Sequence, residues 1–242
     1  MYGKKLKEIN KKFRPTLIKK KNYSLYKICY QKEFSYFKLF IKDNTNIKID
    51  NYPLYLHLTK GKILLNKNNI IKNHEKKTYF SKKKIYFKTL ENSEFYIFFL
   101  HKVNNLKISI NKKNIRTRVT LIKESRIKNK YWGKIISLFS NKKGSGKIIF
   151  MKKNTQSSME FHIKKKENYF IENGIIDLGI RYARGRNGLI TLRKNNSFLM
   201  EPGTMHMRMA KKDTKIIEIS TEDNDKDSII VHDGNIYKFK KD

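Results

Sequence analysis

The 242-residue chain has one cysteine (Cys29), three prolines (Pro15, Pro53, Pro202) and one tryptophan. A lone thiol excludes a disulfide framework and makes a reducing, cytoplasmic compartment the expectation. So few prolines exclude collagen-like and proline-rich classes. No apolar run approaches the roughly 20 residues that cross a bilayer, and the first residues carry lysines with no apolar stretch after them, so neither a membrane span nor a leader is expected. Acidic residues are also scarce, 21 against 56 basic ones, which leaves a formal charge of +35. Hydrophobic residues make up 38% and aromatics 12%, enough for a folded core and too much for a disordered chain.

A charge of that size points first to a polyanion, because clustered lysine and arginine release counterions from phosphates. Arginine, however, is rare, and most of the basic residues are lysines set among Asn, Ile, Tyr and Phe, as in NKNNIIKN and FSKKKIYFK. These residues share A/T-rich codons, so base composition enriches them together whatever the protein binds. Bidentate recognition of phosphate or guanine would favour arginine. Nucleic acid or another polyanion is thus a partner the composition allows without favouring.

Charge and glycine divide the chain. Residues 1–130 carry a net +26 and two glycines, Gly3 and Gly61, whereas residues 131–242 carry +9 and the other nine. Short β-rich runs with polar turns between them recur throughout, and no long stretch has a helical period. The one helical candidate is Lys4–Lys12, poorly capped. This pattern predicts an all-β architecture of sandwiches or barrels. PLYLHLTKGKILLN has the outline of KENYFIENGIIDLGI, with Gly61 and Gly174 at matching turns, and the segments that follow are also parallel. We therefore expect two copies of one barrel: residues 1–102, a basic linker at 103–130, and residues 131–242.

Chemistry concentrates in TQSSMEFHIKKKENYFIENG and FLMEPGTMHMRM. Glu160 and His162 sit two apart on a strand and so share a face; Glu167 opens the next strand, and Pro202-Gly203-Thr204 turns the chain toward His206. Two imidazoles and one or two carboxylates converging in a barrel suit a divalent transition metal such as Zn, Mn, Fe or Ni, with positions open for substrate oxygens.

These residues resemble the two motifs of the cupin superfamily, G-x5-H-x-H-x3-4-E-x6-G and G-x5-P-x-G-x2-H-x3-N. His162, Glu167 and Gly174 keep the first motif's spacing, and Gly203 and His206 keep the second's. Departures are Asn154 and Asn195 for the opening glycines, Glu160 for the first histidine, Glu201 for the proline and Ala210 for the last asparagine. Tyr131-Trp132-Gly133, KIIFMKKNTQSS, MEPGTMH and IIEISTEDNDKDSIIVHDG look like the cupin domains of type II mannose-6-phosphate isomerases, over residues 131–242. The resemblance implies two jelly-roll barrels, the first degenerate, and a metal held by Glu160, His162, Glu167 and His206. It also implies a sugar, sugar-phosphate or nucleotide-sugar substrate, an isomerase or epimerase reaction, and a homodimer. Aligning the copies on Gly61 and Gly174 places Leu54, Ile49 and Ile47 opposite Glu167, His162 and Glu160; setting Ser81 against Pro202 places Ile85 opposite His206. The first barrel is therefore expected to hold no metal at this position.

Other residues have two readings each. Arg208, two after His206, either points into the cavity to hold a phosphate or carboxylate or pairs with Glu218 or another wall carboxylate. Glu218 is either the proton-transfer base or the partner of a ligand histidine. Arg181 and Tyr182 are candidate substrate contacts; Arg184 and Arg186 continue the same glycine-rich loop, which either rims the mouth or is merely solvated. KKGSGK reads as a hairpin turn, EISTEDNDKDS lacks the glycine and glutamate of a calcium loop, and Cys29 reads as a buried structural thiol. Two rival functions remain: a non-catalytic module that binds a sugar or polyanion, and a metal-dependent dioxygenase.

Overall fold

The computed structural model describes residues 12–66, 69–74, 77–110, 117–122, 126–182 and 184–241. Among them there is no α-helix, and only a single 3-10 turn at Asp225–Asp227. The helical candidate Lys4–Lys12 lies outside the described residues except for Lys12, which opens a strand.

Backbone contacts divide the chain into two units, Pro15–Ser125 and a second made of Arg126–Asp242 with Met1–Arg14. After β1 (Lys12–Phe13), the unit Pro15–Ser125 holds β2 (Thr16–Lys19), β3 (Tyr23–Tyr30), β4 (Ser35–Ile41), β5 (Asn46–Ile49), β6 (Leu54–Lys60), β7 (Lys62–Asn66), β8 (Asn69–Lys72), β9 (Thr78–Ser81), β10 (Ile85–Thr89), β11 (Ser93–Phe99), β12 (Ile108–Ile110) and β13 (Thr120–Ile122). The other unit continues with β14 (Ile127–Lys130), β15 (Gly133–Asn141), β16 (Gly144–Met151), β17 (Met159–His162), β18 (Glu167–Asn173), β19 (Ile175–Tyr182), β20 (Gly188–Arg193), β21 (Ser197–Met200), β22 (Thr204–Ala210), β23 (Thr214–Ser220) and β24 (Ser228–His232). The segment 103–130, expected as a linker, carries β12, β13 and β14. Its apolar residues explain the difference, since Val103, Leu106, Ile108 and Val119 pack on the first unit's core.

Each unit is a seven-stranded and a five-stranded antiparallel sheet, and the strand orders match one for one. The first unit has β13-β9-β6-β11-β4-β3-β2 and β12-β5-β10-β7-β8; the second has β1-β21-β18-β23-β16-β15-β14 and β24-β17-β22-β19-β20. The repeat suspected from the two glycine turns is a repeat of topology. Gly61 and Gly174 have φ +89° and +90°, a conformation that glycine adopts without the steric cost a Cβ would add.

Strand parity decides what fills each interior. In the first unit Leu54, Leu56 and Leu58 on β6, Ile97 and Phe99 on β11, Ile47 and Ile49 on β5, and Ile85 and Phe87 on β10 all belong to one apolar core. In the second, apolar residues such as Ile171, Ile176, Ile216 and Trp132 fill part of the interior. Further along the same faces the series turns polar: Ile171 gives way to Tyr169 and Glu167 on β18, and Ile216 to Glu218 on β23. For one aligned pair the register gives two answers. Across β5 and β17, Glu160 faces His206 as Ile47 faces Phe87, which sets Phe87 at the position of His206; across β7 and β19, Ile176 faces Ala210 as Ile63 faces Thr89, which keeps Ile85 there. Ser81, which faces Leu54, matches Met200, which faces Glu167, and this moves the count by two. Either way the position is apolar and buried.

Candidate metal centre

β17 lies between β22 and β24, and this placement gathers the centre. Glu160, His162 and His206 each offer one ligand atom, and the three atoms lie within 4.8 Å of one another. The two imidazole rings are 5.6 Å apart, centre to centre.

Both imidazoles are anchored through Nδ1. That of His162 lies 3.0 Å from the Asp227 carbonyl oxygen, and that of His206 lies 3.1 Å from the Thr204 carbonyl. A carbonyl can only accept, so Nδ1 carries the proton in each neutral ring and Nε2 presents a lone pair. The Nε2 of His162 is buried and makes no hydrogen bond among the described residues. It sits 3.3 Å from Glu167 Oε1, while His206 Nε2 is 3.5 Å from Glu167 Oε2 and 3.8 Å from Glu160 Oε1. Lone pairs facing carboxylate oxygens repel unless a proton or a cation lies among them. Two imidazoles with carboxylates fit a divalent transition metal, and the orphaned Nε2 is the atom that such an ion satisfies.

Glu167 reaches the centre as expected, but it is already engaged. Its Oε1 is ion-paired with Lys165, and its Oε2 accepts a hydrogen bond of 3.0 Å from the Tyr169 hydroxyl. Lys165, 5% exposed, also reaches Glu218 at 3.1 Å and Asp223 at 3.0 Å. An ammonium so buried persists because three carboxylates surround it. Of the two roles expected for Glu218, that of partner to a ligand histidine is corrected: its carboxylate faces Lys165 and, at 3.7 Å, Lys147, and it meets neither histidine. β23 places Glu218 across from Tyr169 and Lys147 in the seven-stranded sheet, whereas β17, which carries His162, belongs to the five-stranded one.

Arg208 points into the same interior, where its Nη2 donates to Glu160 Oε1 at 2.9 Å and its Nη1 to the Tyr169 hydroxyl at 3.2 Å. Of the wall carboxylates it pairs with Glu160 rather than Glu218. The Ser228 hydroxyl donates to the other oxygen of Glu160 at 2.7 Å. Arg181 is corrected. It pairs with Met205 while Ile180 pairs with His206, so by alternation its side chain leaves the face that carries His206. The side chain of Tyr182 lies outside the described residues; its backbone pairs with Thr204. Arg184 and Arg186 are exposed.

These contacts order the protonation states. Burial raises the carboxyl of Glu160, but Arg208, His206 and the Ser228 hydroxyl outweigh it and leave it below its usual value. Burial likewise opposes the charge of Glu167, and Lys165 with the two histidines overcomes it, so this group is held well below the usual range. Burial also drives His206 down, keeping it neutral, whereas Glu167 lifts His162 despite burial. Tyr169 is pushed well up by burial and so keeps its proton.

Sequence reasoning missed Lys165, Tyr169, Asp227 and Ser228. Lys165 is the middle of the run Lys164-Lys165-Lys166 and looks like solvated charge; its one signal was its position two before Glu167, on the same side of the chain. Asp227 belonged to the acidic run dismissed as a calcium loop. Its carboxylate accepts the backbone N–H groups of Ile163, Lys164 and Lys165.

No protein-family model matches the chain, and no curated protein matches it. Solved structures do. The oxalate decarboxylase of Bacillus subtilis, studied for its Mn(II) centres, aligns with a TM-score of 0.69 at 9% identity, over 91% of this chain and 79% of that one. The oxalate decarboxylase of Lactobacillus farciminis, in a formate complex, aligns with a TM-score of 0.68 at 8% identity, over 91% of this chain and 88% of that one. At such identities the likeness speaks for the fold alone, and with the matched strand orders it establishes that this chain shares the doubled, all-β fold of those proteins.

Proposed function

We propose that the second unit is a metal-dependent enzyme acting on a small, oxygen-rich anion, with a sugar phosphate as the first candidate, and that it moves a proton between adjacent carbons as an isomerase or epimerase. The observation that carries the metal is the convergence of two Nδ1-anchored imidazoles on one point beside Glu160. His162, His206 and Glu160 would hold the ion, with Glu167 as the fourth donor. A divalent metal bound there supplies a Lewis acid for carbonyl and hydroxyl oxygens.

The charge balance supports an anionic substrate. Glu160, Glu167, Glu218 and Asp223 face Lys165, Lys147 and Arg208, a net of −1 with both histidines neutral. A divalent ion reverses that sign. The guanidinium of Arg208 keeps Glu160 ionised, and Glu160, the least buried of the ligand candidates, marks the side from which a substrate enters. Tyr169, protonated at neutral pH, donates to Glu167 Oε2 and stands 3.5 Å from His206 Nε2, where its hydroxyl would hold Glu167 in place beside the ligand candidates. The resemblance to sugar-isomerase cupins supports the substrate class. The fold neighbours, one with Mn(II) centres and another with formate, support a second reading, the decarboxylation of a small dicarboxylate.

Elemental analysis of the purified full chain, followed by assays of the Mn(II)-loaded protein, tests this. We expect one transition metal per chain, loss of that metal in His162→Ala without unfolding, and interconversion of hexose 6-phosphates. Release of CO2 from oxalate with no isomerisation would replace the first reading by the second. Metal content unchanged in His162→Ala would overturn both.

A further inference from the structure

Away from the metal centre, each unit has a groove on the seven-stranded sheet, and the two grooves occupy the same place in the repeat. The groove of the first unit, about 330 Å³, is walled by the ends of β2, β4 and β6 and the starts of β3 and β11. That of the second, about 650 Å³, is walled by the ends of β14, β16 and β18 and the starts of β15 and β23. These are one set of strands under the matched orders. The register agrees: Phe40 lies across from Ser24 in the first groove as Phe150 lies across from Lys134 in the second.

The chemistry of the two grooves agrees although their residues differ. The first has Lys19, Lys20, Lys42 and Lys60 with one acid, Glu94; the second has Lys130, Lys134, Lys152 and Lys215 with one acid, Asp213. Each acid is already occupied, Glu94 by Lys38 at 3.5 Å and Asp213 by the backbone N–H of Lys153 at 2.8 Å. In each groove the aromatic ring faces away from the apolar core, because its neighbours Leu39 and Ile41, or Ile149 and Met151, point inward. An ammonium lies 4.8 Å from each ring centre, Lys38 over Phe40 and Lys134 over Phe150, with Tyr26 edge-on to Phe40 at 5.9 Å and Lys215 5.7 Å from Phe150, so a stacking base takes the place of the lysine on each ring. At the positions of Glu160, His162, Glu167 and His206 the first barrel is apolar, yet its groove keeps four lysines around a phenylalanine.

We propose that these grooves bind single-stranded nucleic acid, the lysines following the phosphates and Phe40 and Phe150 each offering a face on which a base stacks. Lysine without arginine suits contacts with the backbone rather than readout of base edges, and a partly exposed ring on the outer side of the sheet favours an unpaired base over a duplex. With four lysines per groove, each occupied site makes log K fall against log salt with a slope of about −3.

Fluorescence anisotropy of the full chain with a labelled 12-residue oligothymidylate, the corresponding duplex and vesicles containing phosphatidylserine tests this between 50 and 200 mM salt. The double variant Phe40→Ala/Phe150→Ala is expected to weaken single-strand binding at least fivefold and leave duplex binding unchanged. The charge reversal Lys130→Glu/Lys152→Glu/Lys215→Glu is expected to weaken it more than Lys82→Glu/Lys83→Glu/Lys84→Glu, which removes the same charge from exposed positions outside the grooves. Equal losses in the two triple variants would show attraction by net charge alone and overturn the proposal. Duplex binding as tight as single-strand binding, or vesicle binding lost in the same variants, would overturn it as well. Melting curves and metal content identify any variant that fails to fold, and the phenylalanine pair and the lysine triple test the grooves independently.

Discussion

Asp227 holds His162 by two routes: its carbonyl oxygen accepts the Nδ1–H at 3.0 Å, and its carboxylate accepts N–H groups of the turn that follows, Lys165 at 2.8 Å among them. One residue of the 3-10 turn before β24 thereby sets the orientation of a ligand candidate on β17, and also the turn that delivers Lys165.

Asp227→Ala keeps the carbonyl and removes the carboxylate, leaving three backbone N–H groups without this acceptor. We expect a loss of about 1–3 kcal/mol in stability and a roughly tenfold to hundredfold weaker metal affinity. Denaturant melts and competition titrations with a metal indicator read the two effects separately.

Lys165→Met leaves Glu167, Glu218 and Asp223 crowded without the ammonium that all three share. The metal-free variant should lose about 3 kcal/mol or more. Added Mn(II) should then raise its melting temperature by more than it raises that of the unaltered protein, since the ion takes over part of the charge. Equal shifts in differential scanning fluorimetry would argue against this coupling.

Acid should weaken the same cluster. Burial pushes the carboxyl of Asp223 up, but Lys165 and Lys147 outweigh it and bring it down to about 2, from an ordinary 3.8. A group depressed on folding stabilises the native state above its unfolded value and loses that contribution as pH falls. Asp223 therefore adds about 2 kcal/mol above pH ~4 that disappears between pH ~4 and ~2. Asp223→Asn should flatten this part of the stability curve, as urea melts across the range would record.

Gly61→Ala and Gly174→Ala should each cost about 1–3 kcal/mol. Both glycines have positive φ, and an added Cβ would stand 2.7 Å from the Asn92 carbonyl oxygen at the first and 2.7 Å from the Thr214 Cα at the second. Similar losses at the two sites, measured by chemical denaturation, would reflect one turn geometry used twice.

The repeat and the ligand candidates were legible because both depend on short range. Alternation along β17 puts Glu160 and His162 on one side whatever surrounds them, and the glycine turns mark where each pair of strands reverses. Ile47, Ile49 and Leu54 could be paired with Glu160, His162 and Glu167 on those turns alone. The match for His206 falls on Ile85 or Phe87 according to the neighbouring strand used, because no turn glycine pins the connection between β9 and β10.

The partners of these side chains were beyond such reasoning. Arg208 meets Glu160 across 48 positions, Lys165 meets Glu218 across 53, and the Asp227 carbonyl meets His162 across 65. Local spacing sets which side chains share a face, so the polypeptide alone named the two imidazoles and two carboxylates. Which charge neutralises which depends on the strands that become neighbours in the sheets, and only the folded barrel assigns Lys165 to the interior and Arg181 to the opposite face.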